Sequence, residues 1–219
     1  MTDGEILRSG LERLGVTAPD APERLEQYAR EIRLWNGKID LVADKEALIV
    51  RHLLDSLAIL PLLRERGLLP APRLADVGSG AGLPGVPLAL ALPDARVILV
   101  ERSGRRAGFL RSTVAILGLH NAEVLHGDLR STEVGSVDLC LFRALTGMNA
   151  HLVQDLRRTV GSGVGSGADS GAVIAYAGRR SSAEETADQL RSGFARVEVV
   201  PVAVPFLDAE RHVVVATQS

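Results

Sequence analysis

The sequence predicts a mostly parallel, doubly wound α/β sheet, closed by a C-terminal antiparallel hairpin and preceded by a helical extension. Three observations predict it. From Leu74 onward, short apolar strands alternate with helical patterns, the rhythm of a parallel sheet with helices on both faces. The first strand runs straight into a glycine-rich turn, Gly78-Ser-Gly-Ala-Gly-Leu-Pro-Gly85, with a helix behind it. The last two β-branched runs, at 195–204 and 212–217, follow one another with only a short loop between them.

The elements follow in order. Residues 1–69 read as the helical extension and 70–219 as the α/β domain. Thr2-Asp-Gly-Glu5 has the spacing of a capping box. Asp20-Ala-Pro-Glu23 offers a second cap, before an amphipathic run to Trp35 that Asn36-Gly37 should break. Asp44 should cap a third helix through Leu60, interrupted at Pro61. Pro70 and Pro72 mark the border. Beyond it, strands are expected at 74–77, 96–101, 122–126, 137–142 and 172–177, and helices at 84–92, 104–118, 147–158 and 182–193. The Gly/Ser-rich stretch 161–171 reads as a flexible loop.

Composition bounds the function. A chain of 219 residues, 46% hydrophobic, can bury one sizeable core. Its net charge of −2 provides no global basic field for nucleic acid. Cys140 is the lone cysteine, which excludes an intrachain disulfide and a thiolate metal cluster. Its place inside a strand marks it as core rather than nucleophile. The N-terminus has no apolar signal-peptide core, and no apolar run is long enough to span a bilayer. A cytoplasmic enzyme without a metal, and a monomer by default, is the expectation.

The glycine turn points to a nucleotide-like ligand at the end of a parallel strand. Gly80-Ala-Gly82-Leu-Pro-Gly85 also fits the dinucleotide pattern G-x-G-x-x-G, a weak signal alone. Asp76 stands two positions before Gly78, as in the first motif of the S-adenosylmethionine methyltransferases. There it can orient the loop or face the ligand's amino group; beside a pyrophosphate it would repel. Gly78, Ser79, Gly80, Gly82 and Leu83 are therefore candidate cofactor contacts. Glu101 ends the second strand, 23 residues after Gly78, where a carboxylate accepts from ribose hydroxyls. Asp128, with Leu129 and Arg130, follows the third strand at the expected adenine edge. Arg143 follows the fourth strand and should point into the crevice. Phe142-Arg-Ala-Leu145 is neither the Asn/Asp-Pro-Pro-aromatic motif of exocyclic-amine methyltransferases nor the Pro-Cys of pyrimidine C5 enzymes. Ring nitrogen, hydroxyl or small-molecule acceptors remain. Arg51, His52, Asp55 and Ser56 form a polar arc of about 140° on the third helix, at 100° per residue, which by pattern alone is an outer face.

These residues together resemble the bacterial RsmG (GidB) family. The resemblance rests on Trp35-Asn36, Arg51-His-Leu-Leu-Asp55-Ser56, the turn from Asp76 to Gly85, Arg143-Ala144 and Leu207-Asp-Ala-Glu-Arg211-His212. It implies a Rossmann-like class I methyltransferase that uses S-adenosylmethionine to methylate N7 of a guanosine in small-subunit ribosomal RNA. It also implies that Asn36, Arg51, His52, Asp55, Ser56 and Arg211 rim one crevice and hold the RNA, with Arg143 as the catalytic residue and a further cofactor contact. Three positions depart from the family: Asp40-Leu-Val42 replaces Asn-Leu-Thr, Asp128 stands where an arginine is usual, and Ala177 replaces a lysine. Two other readings stand beside this one. An NAD-dependent oxidoreductase would explain the glycine pattern, and a non-catalytic ribosome-assembly factor would keep the fold as a vestige.

Overall fold

The computed structural model describes residues 1–44, 46–69, 73–143, 148–161 and 171–218. The Pro70–Pro72 border, Ala144 and most of the Gly/Ser-rich stretch lie outside the described residues.

Seven strands form one sheet: β1 (Arg73–Val77), β2 (Arg96–Glu101), β3 (Ala122–His126), β4 (Leu139–Arg143), β5 (Ala172–Ala177), β6 (Arg196–Pro201) and β7 (His212–Thr217). Their spatial order is β3-β2-β1-β4-β5-β7-β6. β1 to β5 pair in parallel, and β7 runs antiparallel to both β5 and β6. This is the expected sheet. Between β1 and β4 the winding reverses, so the crevice past their carboxyl ends is where a ligand should sit. Two strand edges differ from expectation. β4 begins at Leu139, because Val137 makes only an isolated bridge to Val160. The hairpin strands are joined by residues 202–211 rather than by a short loop.

Helices α5 (Gly85–Ala91), α6 (Gly104–Ile116), α7 (Ala150–Thr159) and α8 (Arg180–Leu190) cover the sheet. α7 starts later than the sequence suggests, at Ala150, capped by Asn149, whose side chain accepts from the Leu152 N–H at 3.0 Å. Alternate strand residues divide between two cores. Ala75, Ile98, Cys140 and Val173 pack with Val153 and Leu156 of α7 and Leu190 of α8. Leu74, Leu99, Leu139 and Ile174 face the other way, toward α5, α6 and the extension.

The extension holds α1 (Asp3–Arg13), α2 (Ala21–Ile39), a π-helical turn (Ile49–Leu54) that runs into α3 (Asp55–Leu57), and α4 (Leu60–Glu65). The capping box at Thr2 and Glu5 is present. Three expectations give way. Asp20 does not cap α2 with its side chain, which pairs with Arg24 at 3.0 Å instead. α2 continues through Asn36-Gly37 to Ile39 and is capped by Asp40, in the left-handed region at φ 47°. The third helix is a π-helical turn, and Pro61 opens α4 in its first turn, where the missing N–H has no partner to lose. Asp44 does cap the approach, accepting from the Ala47 N–H at 3.2 Å. Leu7, Leu25, Ile32, Leu53 and Leu63 of the extension belong to the same buried cluster as the sheet's Leu74 and Leu99. Each such side chain contributes about 1.5–3 kcal/mol on full burial. Among the described residues no helix is long and apolar enough to cross a membrane.

Candidate active site

The glycine turn is held from below by β2. The N–H groups of Gly78 and Ser79 both donate to the Val100 carbonyl, at 2.9 and 3.0 Å. Gly78, Gly80 and Gly82 adopt φ of 73°, 57° and 93°, which side-chain-bearing residues rarely tolerate. Glu101 closes the turn from the side. Its Oε2 accepts from the Gly80 N–H at 2.8 Å and its Oε1 from the Ser103 N–H at 2.7 Å. A carboxylate has further lone pairs for a ligand hydroxyl. Asp76 is wholly buried, and its Oδ2 accepts from the Gly85 N–H at 2.9 Å. Of the two roles open to Asp76 in the sequence, this contact is the orienting one. A Cβ at Gly85 would run into Leu99 Cδ2 and lie 2.7 Å from Asp76 Oδ2, so α5 can start this close to β1 only with glycine there. Burial pushes Asp76 up to about 7, helped by the neighbouring charge of Glu101.

A cleft of about 460 Å³ opens beside the turn, lined by Gly78, Glu101, Asp128, Leu129 and Arg130. Its volume is in the range of small-molecule sites. Asp128 Oδ1 accepts from the Ser131 N–H at 2.8 Å, and Ser131's hydrogen bonds hold its carboxyl below the usual range. Arg130 pairs with Asp155, another lining residue of the cleft, at 3.3 Å. Carboxylate acceptors, exposed loop backbone and the apolar Leu129 together suit a nucleoside with ribose hydroxyls.

A second hollow, about 360 Å³, lies past the ends of β4 and β5 and contains Asp55, Arg143 and Arg211. Asp55 is the hub. Its Oδ2 lies 3.3 Å from Arg143 Nη1, and its Oδ1 accepts from Arg211 Nε at 2.9 Å. Arg143 Nη2 donates to the Arg51 carbonyl at 2.9 Å and lies 3.2 Å from His52 Nδ1. Acceptance at Nδ1 leaves the His52 proton on Nε2, which is buried and has no hydrogen-bond partner. Burial, then the adjacent Arg143, lowers His52 to about 4. Asp55 is raised by burial, against the pull of Arg143 and Arg211.

The structure thus joins most of the residues the sequence singled out. The 51–56 arc is not an outer face. Ser56 and Asp55 are buried and His52 is half-buried, leaving Arg51 exposed. The spacing of 100° per residue fails here because a π-helical turn is wider. Asn36 is not brought to Arg211. Its amide is used on its own chain, accepting from the N–H groups of Leu41 and Val42 at 2.7 Å and donating to the Val42 carbonyl at 2.9 Å. It lines a different hollow, with Asp40, Ser103 and Arg106. Cys140 is wholly buried in β4, which pushes its thiol up and away from nucleophilic use. Sequence reasoning missed Tyr28 and Tyr176. Both are bonded at this end of the sheet, and their one sequence signal is that a buried tyrosine hydroxyl needs a partner.

Comparison with known proteins gives the family and the fold class. The family model described as GidB, rRNA small subunit methyltransferase G, matches residues 21–214. A ribosomal RNA small subunit methyltransferase G of Stenotrophomonas maltophilia is 37% identical over 214 residues, covering 96% of this chain and 93% of that protein. One of the same description from Nitrosospira multiformis is 35% identical, covering 98% and 97%. Among solved structures, a SAM-dependent methyltransferase from Aquifex aeolicus superposes with a TM-score of 0.60 at 19% identity, over 84% of this chain and 98% of that one. That likeness shows the class I methyltransferase fold. By its family match and by identity along nearly its whole length, the chain belongs to the GidB family of rRNA small subunit methyltransferases.

Proposed function

We propose that this chain transfers the methyl group of S-adenosylmethionine to N7 of a guanosine in small-subunit ribosomal RNA, in the cytoplasm. The observation that carries the reading is the placement of two hollows on either side of the β1/β4 reversal, one suited to a nucleoside and one that presents Arg143 and Arg211. Gly78 to Leu83, Glu101 and Asp128 would hold the donor, which when bound supplies an electrophilic methyl on a sulfonium. Guanine N7 already carries a free lone pair, so the acceptor needs no general base. The site suits that demand: Asp55 is occupied by two arginines, and His52 Nδ1 lies against Arg143. Alignment of the two partners can then supply most of the acceleration. Arg143 would position the guanine, since its Nη1 is buried and ion-paired to Asp55 at 3.3 Å but makes no hydrogen bond, which leaves its N–H groups to donate to a ligand. Arg51 and Arg211 would meet RNA phosphates, for which a planar guanidinium is well shaped. Asn36 would act indirectly, by fixing the turn at Leu41 and Val42.

Mapping N7-methylguanosine in ribosomal RNA from cells with and without the gene tests this. One guanosine should lose its methyl group without the gene and regain it with the wild-type copy. Arg143→Ala should fold but restore little methylation, and Arg143→Lys should restore it poorly, because a point charge does not replace a fork. Unchanged methylation in the gene's absence would refute the function. Full restoration by Arg143→Ala would remove Arg143 from the mechanism.

A further inference from the structure

The chain has two tyrosines. Each sits where the helical extension meets the sheet and gives its hydroxyl proton to a main-chain carbonyl across that boundary. Tyr176, in β5, donates to Ser56 of α3 at 2.7 Å. Tyr28, in α2, donates to the Ala81 carbonyl at 2.5 Å. Ala81 lies inside the glycine turn, between Gly80 and Gly82, both with positive φ.

Tyr28 is wholly buried, and a Cβ placed on Gly82 would come within 3.0 Å of its hydroxyl. The contact fixes one peptide plane. Because the peptide is planar and trans, turning the Ala81 carbonyl toward Tyr28 turns the Gly82 N–H the opposite way. That N–H donates to the Ser79 carbonyl at 2.7 Å and closes the turn. The turn's other anchors, Val100, Glu101 and Asp76, all belong to the sheet. Three glycines give this segment great backbone freedom, so its shape depends on those external bonds.

We infer that Tyr28 is a positioning residue for the methyl donor, through which the helical extension sets the shape of the turn and hence the donor's affinity. This rests on the reading that the turn holds S-adenosylmethionine. Without its hydroxyl, the Ala81 carbonyl is left buried and unpaired, and the turn can relax into shapes that bind less well.

The test is calorimetric titration of the full chain with S-adenosylhomocysteine, for wild type, Tyr28→Phe and Tyr176→Phe. Tyr28→Phe should bind roughly five- to tenfold more weakly, the scale of one lost hydrogen bond. Its KM for S-adenosylmethionine should rise by a similar factor with kcat nearly unchanged. Tyr176→Phe should bind the nucleoside as wild type does, though it too loses a hydrogen bond, a half-buried one, between extension and sheet. Equal affinity of Tyr28→Phe and wild type would overturn the inference. So would equal weakening in both variants, which would mean general loosening. Failure of wild type itself to bind would strike the cofactor reading first and this inference with it. Should Tyr28→Phe not fold, 3-fluorotyrosine in the wild-type sequence gives a second measurement, with Tyr176→Phe assigning the signals. The fluorine resonance of Tyr28 should move on adding S-adenosylhomocysteine, and a resonance that stays in place overturns the inference.

Discussion

Asp76 and His52 are buried titratable groups pushed in opposite directions. Asp76 releases its proton at about 7 in the folded protein and at an ordinary 3.8 in the unfolded chain. Its contribution to stability is therefore complete below the lower value and lost as pH rises to the upper one. His52 is lowered from 6.5 to about 4, so its effect has the other sign: stability is gained as pH rises across that window. Between about pH 4 and 6.5 the two slopes oppose and largely cancel. Single substitutions should unmask them. Asp76→Asn keeps an acceptor for the Gly85 N–H but cannot titrate, so its stability should climb from acid toward neutral pH. His52→Asn should instead lose stability over the same range. Asp55, also raised by burial, is common to all three proteins and drops out of the comparison. Urea unfolding at several pH values checks this, and identical slopes for both variants and wild type would show that neither group is shifted.

The π-helical turn and α3 matter as a unit because they deliver a buried carboxylate to two arginines from distant elements, Arg143 on β4 and Arg211 just before β7. Removing Asp55 would leave both guanidinium groups facing each other without a counter-charge. Asp55→Ala should therefore destabilise by about 3 kcal/mol, the low end for a broken buried pair, since both arginines keep some exposure. Arg51→Ala should cost under about 1 kcal/mol, because its partner Asp44 is exposed and 3.7 Å away. Equal losses in chemical denaturation would contradict the hub. This element was also the least legible in the sequence. The strands were readable because runs such as Val97-Ile-Leu-Val100 are apolar on both faces, as a sheet covered on both sides demands. The glycine turn was readable because its backbone needs glycine. The helical register from Arg51 to Ser56 was not, because hydrogen-bond spacing within a helix leaves no mark on composition. For the same reason Asn36-Gly37 looked like a break. The Asn36 amide supplies the partners that the chain needs after α2, so the helix runs three residues past it. The residues of the second hollow were legible one by one, but their convergence depends on contacts between residues 92 and 156 positions apart, Arg143 with Arg51 and Arg211 with Asp55.

At the scale of the whole molecule, a chain of net charge −2 must bind a polyanion through a local surface. The shared core of extension and sheet fixes that surface, because Arg51 on the extension and Arg143 and Arg211 on the sheet side are held together by packing. Around Asp55 the charges of Arg143 and Arg211 sum to one positive charge beyond the carboxylate, so the hollow stays basic despite its ion pairs. Arg211→Ala brings that local sum to zero. For every phosphate left without its arginine, the slope of log affinity against log salt should become shallower by about one unit. Arg211→Ala should therefore weaken binding of small-subunit RNA at low salt and flatten its salt dependence, with affinity for S-adenosylhomocysteine unchanged. Arg8 supplies the control. It lies on α1 between Glu23 and Glu26, at 3.5 and 3.2 Å, so its charge is already answered by two carboxylates. Arg8→Ala should keep the wild-type slope. If both variants track wild type across a salt series, RNA does not engage this hollow. If Arg211→Ala mainly weakens the nucleoside, Arg211 belongs to the donor's side of the crevice rather than to the RNA.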